Sequence, residues 1–265
     1  MQIGLFVPCY IDQFYPDVAI ATVELLEQFG DQVEFPRLQT CCGQPMANTG
    51  CGDDAAPLAR RFVDIFASDE YQYVVCPSGS CTAMVTHHYE EYFRGTARGA
   101  YEAVRSKTLE LSQYLNEVKQ AAAPATEASF AAFPHRVGLH QSCHGLRELR
   151  LGQCSERMTD CDDSVRSLLD RVPELEVVTL ERRDECCGFG GTFAVTESDV
   201  SVAMGRSRVA DHVQAGAEVM VAGDMSCLMH LQGLIRRDKE PLQTMHFAQV
   251  LAGRPLDINS PSATV

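Results

Sequence analysis

Adjacent cysteines followed by glycine occur twice in this chain, at Cys41-Cys42-Gly43 and at Cys186-Cys187-Gly188, and each doublet holds the same place in a repeated order of segments. An apolar run leading to a lone cysteine comes first: Leu5-Phe6-Val7-Pro8-Cys9 in one copy, Val137-Gly138-Leu139-His140-Gln141-Ser142-Cys143 in the other. An amphipathic stretch and the doublet follow. A second amphipathic stretch then leads to another apolar run and a loop cysteine, in Val74-Val75-Cys76-Pro77-Ser78-Gly79-Ser80-Cys81 and in Met220-Val221-Ala222-Gly223-Asp224-Met225-Ser226-Cys227. Self-similarity on this scale means one structural unit used twice. Any fold for this chain must therefore present four thiols in each half, from three separate places.

The segments between the cysteines alternate strand and helix. Gln2 to Val7, Gln32 to Phe35 and Tyr71 to Cys76 are short apolar runs of the kind that form buried parallel strands. Pro16 opens a helix at its first turn, and Val18, Ala21, Leu25, Leu26 and Phe29 recur at helical spacing until Gly30. Residues 36–52 predict a loop, and Asp53 and Asp54 predict caps for a helix marked by Leu58, Phe62, Ile65 and Phe66. Tyr101, Val104, Leu111 and Leu115 predict one longer helix between the halves. The second half repeats the order, with strands at Arg136 to Gln141, Glu176 to Leu180 and Glu218 to Ala222. Its helices cover Val165 to Leu169, Ser198 to Gln214 and a segment capped by Ser226, and Met245 to Leu251 predicts a short closing helix.

This pattern predicts an α/β protein of two pseudo-repeated halves, each a small parallel sheet flanked by helices, with the thiols just beyond the strands' C-terminal ends. The predicted boundaries are 1–120 and 135–255 for the two domains, 121–134 for a linker rich in alanine with two prolines, and 256–265 for a mobile tail.

Composition narrows the class. With 45% apolar and 22% charged residues among 265, neither disorder nor a membrane protein is indicated. No apolar run approaches a bilayer span and the amino terminus lacks a signal-like region, so a cytoplasmic protein is expected, with peripheral membrane association left open. Twelve cysteines in such a chain point to metal binding before disulfides. The formal net charge of −14 argues against nucleic acid as a partner. Simple solubility and a basic partner surface both remain as readings of that acidity.

An iron–sulfur cluster needs thiolates from separate pieces of backbone, converging on a small site shielded from water. Three loops at one end of a parallel sheet supply one, two and one cysteines, and the glycines after each doublet let backbone approach closely and aim amides at sulfur. Two alternatives stand beside this. Cysteines are also small core residues, and four thiolates suit a closed tetrahedral zinc site.

Longer motifs surround these cysteines: Phe35-Pro36, Cys41-Cys42-Gly43-Gln44-Pro45, Pro77-Ser78-Gly79-Ser80-Cys81-Thr82, Ser142-Cys143-His144, Cys186-Cys187-Gly188-Phe189-Gly190-Gly191-Thr192-Phe193 and Met245-His246-Phe247-Ala248. On these the chain resembles the cysteine-rich CCG-domain proteins. That superfamily includes the B subunit of heterodisulfide reductase and the iron–sulfur subunits of glycolate and glycerol-3-phosphate oxidising systems. The resemblance is strongest to the small iron–sulfur subunit of a three-component L-lactate oxidation system. It implies ligand sets Cys9, Cys41, Cys42, Cys81 and Cys143, Cys186, Cys187, Cys227. In heterodisulfide reductase-like members the loop motif is Cys-x-x-Cys and five cysteines per half hold a non-cubane cluster. Here Ser78 and Asp224 stand at the first position of that pair, so two 4Fe–4S clusters are the expectation, and a non-cubane cluster or zinc the alternatives. Ser78 or Asp224 as an oxygen ligand, and Cys76 as a substitute thiol, stay open. Cys51, Cys154 and Cys161 lack counterparts and are expected to be non-ligands, the last two in a surface insertion.

His144 follows a proposed ligand and is placed to hydrogen-bond a cluster sulfur, or else simply to pack at a helix start. His140 and His246 have no partner visible in sequence and default to structural roles. Gly188-Phe189-Gly190-Gly191 lacks the third spaced glycine of a dinucleotide fingerprint, and His87-His88 lacks the spacing of a zinc-protease pair. Oxidising a hydroxy acid takes an electron pair, whereas iron–sulfur clusters pass single electrons. The expected role is therefore a non-catalytic redox subunit working with other iron–sulfur subunits. A heterodisulfide-reductase-like catalytic subunit and a structural zinc scaffold are the alternatives.

Overall fold

The computed structural model describes residues 1–95, 97–120, 130–157 and 162–256. Strands β1 (Gln2–Leu5), β2 (Gln32–Glu34), β3 (Tyr73–Cys76) and β4 (Thr108–Glu110) form one parallel sheet in the order β2-β1-β3-β4. Strands β5 (Arg136–His140), β6 (Glu176–Val177), β7 (Val219–Ala222) and β8 (Gln243–His246) form a second parallel sheet in the order β6-β5-β7-β8. The register repeats as well: Gly4 lies opposite Val74, and Gly138 opposite Met220. Strand order reverses between β1 and β3, and between β5 and β7, which is where open parallel sheets leave a crevice for a ligand.

Each sheet has a fourth strand that hydrophobic spacing did not reveal. The helix expected through Tyr101 and Leu115 stops at Lys107, and Thr108–Glu110 pairs with β3 instead. Helical spacing runs unbroken through this strand because it is only three residues long. The break is local chemistry: Glu110 takes extended backbone and its carboxylate caps the next helix, accepting from Ser112 N at 2.7 Å. At the other end, Met245 belongs to β8, and the closing helix is Phe247–Leu251. His246 caps that helix, accepting from Ala248 N at 3.1 Å while Gln249 accepts from His246 N at 3.0 Å. The helix Pro16–Gln28 begins at its proline as expected, and Ser198–Gln214 has the expected bounds. Asp53 and Asp54 lie in the first turn of Gly52–Phe66 without capping it. Asp224, not Ser226, caps the helix Met225–Asp238.

The two sheets share a core. One apolar cluster joins Leu5, Leu25 and Val75 of the first half to Val137, Val219, Phe247 and Leu251 of the second. A separate cluster within the first half is built on Phe6, Phe62, Phe66, Tyr89 and Tyr101. Of the predicted linker, Phe130 and Phe133 are buried in the shared core, while 121–129 lie outside the described residues, as do 257–265 of the predicted tail. No helix among the described residues is long and apolar enough to cross a membrane.

Two buried histidines make the fold acid-sensitive. Burial, and then the charge of Arg208, hold His212 down to about 4, and burial holds His246 down to about 4, from an ordinary value of 6.5. The unfolded chain takes up protons below about pH 6.5 that the folded chain refuses until about pH 4. Stability contributed by these groups is therefore full above that window and lost as pH falls through it. Urea midpoints of the metal-free, reduced protein should drop between pH 6.5 and 4, and His212→Gln should flatten part of that slope.

Candidate metal centres

Each thiol lies in the loop or helix that follows a strand. Pro8 closes the run after β1 and Cys9 opens the helix Cys9–Phe14; Cys41 and Cys42 lie in the loop after β2; Cys81 lies in the helix Gly79–Ala83 after β3. The second half places Cys143 after β5, Cys186 and Cys187 after β6, and Cys227 in the helix Met225–Asp238 after β7. The glycine after each doublet has left-handed backbone, φ 83° at Gly43 and 86° at Gly188, which glycine adopts without penalty. That turn brings Gly43 N to 3.4 Å from Cys41 Sγ and Gly188 N to 3.3 Å from Cys186 Sγ. Buried hydroxyls hold the doublets' backbone: Tyr89 donates to Cys42 O at 2.8 Å, and Ser201 to Gly188 O at 2.7 Å.

The sulfurs converge in both halves. Cys9 Sγ is 3.6 Å from Cys41 Sγ, and Cys42 Sγ is 3.3 Å from Cys81 Sγ. Cys143 likewise hydrogen-bonds Cys186, and Cys187 bonds Cys227. Burial follows the repeat: Cys42, Cys81, Cys187 and Cys227 are buried, whereas Cys9, Cys41, Cys143 and Cys186 are partly exposed. The first thiol of each doublet is drawn toward thiolate. Bonds from Cys42, Cys9 and the Gly43 amide bring Cys41 to about 3; bonds from Cys143, Cys187 and the Gly188 amide bring Cys186 to about 2. Their donors Cys9, Cys42, Cys143 and Cys187 are pushed up. Four thiols that cannot all ionise beside one another without a cation, backed by amides aimed at sulfur, fit a bound metal group.

All eight cysteines border one cavity of about 350 Å³ between the halves, with Tyr10 and Phe189 also lining it. Ser78 and Asp224, equivalent positions in the repeat, meet at this boundary. Asp224 Oδ2 accepts from Ser80 N at 2.8 Å and Ser78 Oγ at 3.4 Å, and Oδ1 accepts from Ser226 N at 3.2 Å and Ser226 Oγ at 2.6 Å. Oδ2 thus ties the halves together, while Oδ1 caps the helix of its own half. Cys76 is fully buried at the end of β3, its Sγ 3.7 Å from Ser78 O.

His144 faces the cavity, its Nε2 3.1 Å from Gln44 Nε2 of the other half and 3.6 Å from Glu148. Cys51 is exposed, and Cys154 is buried instead of lying on a surface; Cys161 is outside the described residues. His140 is the residue that sequence reasoning passed over. It is buried at the end of β5, and a ring nitrogen lies with the sulfurs of Cys187 and Cys227 within 4.8 Å of one another. Its signal was present in the repeat, because the first half has Phe6 at that register.

Residues 3–86 and 137–232 match the CCG cysteine-rich domain, one match for each half. The chain belongs to the CCG family. CCG relatives named lactate utilization protein A include that of Halalkalibacterium halodurans, 40% identical over 95% of this chain and 96% of the relative. The protein of that name from Geobacillus thermodenitrificans is 40% identical over 96% of this chain and all of the relative. Among solved structures, the CCG chain aligns with a glutamate racemase of Bacillus anthracis at TM-score 0.36 and 10% identity, over 94% of this chain and 78% of that one, too slight a likeness to carry an argument.

Proposed function

We propose that this protein is an iron–sulfur electron-transfer subunit of a system that oxidises L-lactate to pyruvate. The observation that carries the reading is the meeting of two matched thiol quartets on one cavity. Support for the substrate comes from relatives named for lactate utilization that align over 95–96% of the chain. Cys9, Cys41, Cys42 and Cys81 hold one cluster and Cys143, Cys186, Cys187 and Cys227 the other. A cluster so held supplies one-electron transfer at a potential set by its charge, its hydrogen bonds and its exposure. The chain's own part is to fix the sulfurs through the glycine turns, to aim the amides of Gly43 and Gly188 at them, and to bury one side of each site. Other iron–sulfur subunits of a cytoplasmic assembly pass electrons to or from it.

The shared cavity favours a second reading, in which a substrate such as a disulfide enters between the quartets and is reduced there. Protein purified without oxygen separates the possibilities. The electron-transfer reading expects about eight iron and about eight labile sulfide per chain, as two 4Fe–4S clusters require. It also expects spectra that a thiol or disulfide leaves unchanged. A cluster spectrum altered by disulfide selects the catalytic reading, and stoichiometric zinc without sulfide overturns both.

A further inference from the structure

We propose that His140 is a fifth side chain of the second-half centre, donating a ring N–H to a sulfur there and raising that centre's reduction potential. The inference rests on the iron–sulfur reading above and concerns what distinguishes its two sites.

Three observations carry it. The first is placement: a ring nitrogen of His140 and the sulfurs of Cys187 and Cys227 lie mutually within 4.8 Å. The second is an unmet need. His140 is 1% exposed, yet neither ring nitrogen has a hydrogen-bond partner among the described residues. A buried donor left unpaired costs about 1–3 kcal/mol, so a site that keeps one has an acceptor for it. The neighbours on the helix Ser198–Gln214 do not serve. Arg208 offers only donors, and His212 Nε2, left an acceptor because Nδ1 donates to Arg208 O at 2.9 Å, makes no hydrogen bond to His140. The sulfur of Cys187 or Cys227, once a metal-bound thiolate, would be an anionic acceptor within reach. His140 also borders a small cavity of about 30 Å³ lined by Glu110, Gln141 and Asp163, room for about one water.

The third observation is asymmetry. Sheet register makes Phe6 the first-half counterpart of His140: each follows the strand residue paired across the switch point, Leu5 with Val75 and Leu139 with Val221. Phe6 lies in the same apolar cluster as Cys42 and Cys81, with the Phe62 ring at 4.9 Å and the Phe66 ring at 6.0 Å. The first site therefore meets a hydrocarbon ring where the second meets an imidazole. Hydrogen bonds to sulfur favour the more negative, reduced state of a centre. The two sites, built from the same four thiols, thus acquire different potentials, and the chain gains a direction for electrons.

The test is a potentiometric EPR titration of the anaerobically assembled full chain, with His140→Phe to copy the first half and His140→Gln to keep an N–H. Each is also made with Cys42→Ala, so that the second centre is read alone. The wild type is expected to show two potentials, with weak nitrogen coupling at the second centre in pulsed EPR. In His140→Phe that coupling disappears, and the second centre becomes about tenfold harder to reduce, about 59 mV for one electron, while the first is unmoved. His140→Gln shifts less. Equal potentials in wild type and His140→Phe at full iron content would overturn the proposal. So would the strong nitrogen coupling of a direct iron–imidazole bond. If His140→Phe loses the second centre altogether, retention in His140→Gln of a centre near the wild-type potential supports donation, and loss in both overturns it. Wild-type protein lacking iron and sulfide would instead defeat the underlying reading before any variant was made.

Discussion

Replacing Cys187 by alanine is expected to halve the iron and labile sulfide bound per chain and to bring lactate-dependent electron transfer in the complete assembly down to background. Cys187 is 3% exposed, bonds Cys227, and accepts from Phe189 N at 3.5 Å, so its loss opens the most enclosed side of the second site. The first half should keep its cluster, because its second apolar cluster draws on no second-half residue. Cys42→Ala is the mirror experiment. Cys51→Ala is the control: that thiol is exposed and borders no part of the cavity, and its removal should change neither iron nor activity. Full iron content and full activity in Cys187→Ala would defeat the assignment of the second quartet.

The next largest effect is expected at a residue that binds no metal on this reading. Asp224→Ala strips the acceptor from two backbone amides and two hydroxyls at once, in a place where the side chain is 1% exposed. Unpaired buried groups of this kind cost about 1–3 kcal/mol each, and a total of about 3 kcal/mol is expected even after the loops relax. The readout is the denaturation midpoint of the reduced, metal-free chain. Asp224→Asn retains an acceptor for Ser80 N and should recover part of the loss. The same pair addresses ligation. With the oxygens occupied as they are, Asp224→Asn should assemble both clusters at full stoichiometry, whereas loss of iron confined to the second half would make the carboxylate a ligand.

How much of this could be read from the chain alone depends on how local the cause was. The doublets, with their glycines and the flanking strand-end cysteines, announced three loops per half, and parallel sheets do deliver those eight thiols to one place. Several strands end one to three residues before the predicted positions, by one at Glu34 and His140 and by three at Val177. The fourth strands escaped because β4 is three residues long and its neighbours continue the helical spacing on either side. At β8, a histidine cap and a glutamine set the boundary within a run of apolar residues. The meeting of Ser78 with Asp224 was not legible at all. In sequence each stood only where a loop cysteine is missing, as an open oxygen ligand, and the juxtaposition of the halves is what makes Asp224 a bridge. His140 was legible only by laying one half over the other and asking why an aromatic hydrocarbon in the first had become an imidazole in the second.

Duplicated proteins are often thought of as beads that could be unstrung. This one could not be. Val137, Val219 and Phe247 belong to the same apolar cluster as Leu5, Leu25 and Val75, so a cut at mid-chain would leave each fragment with an oily wall facing solvent. Once the copies had fused in this way, either could drift only in company with the other, and the spacing between their sulfur sites became a fixed dimension of the molecule.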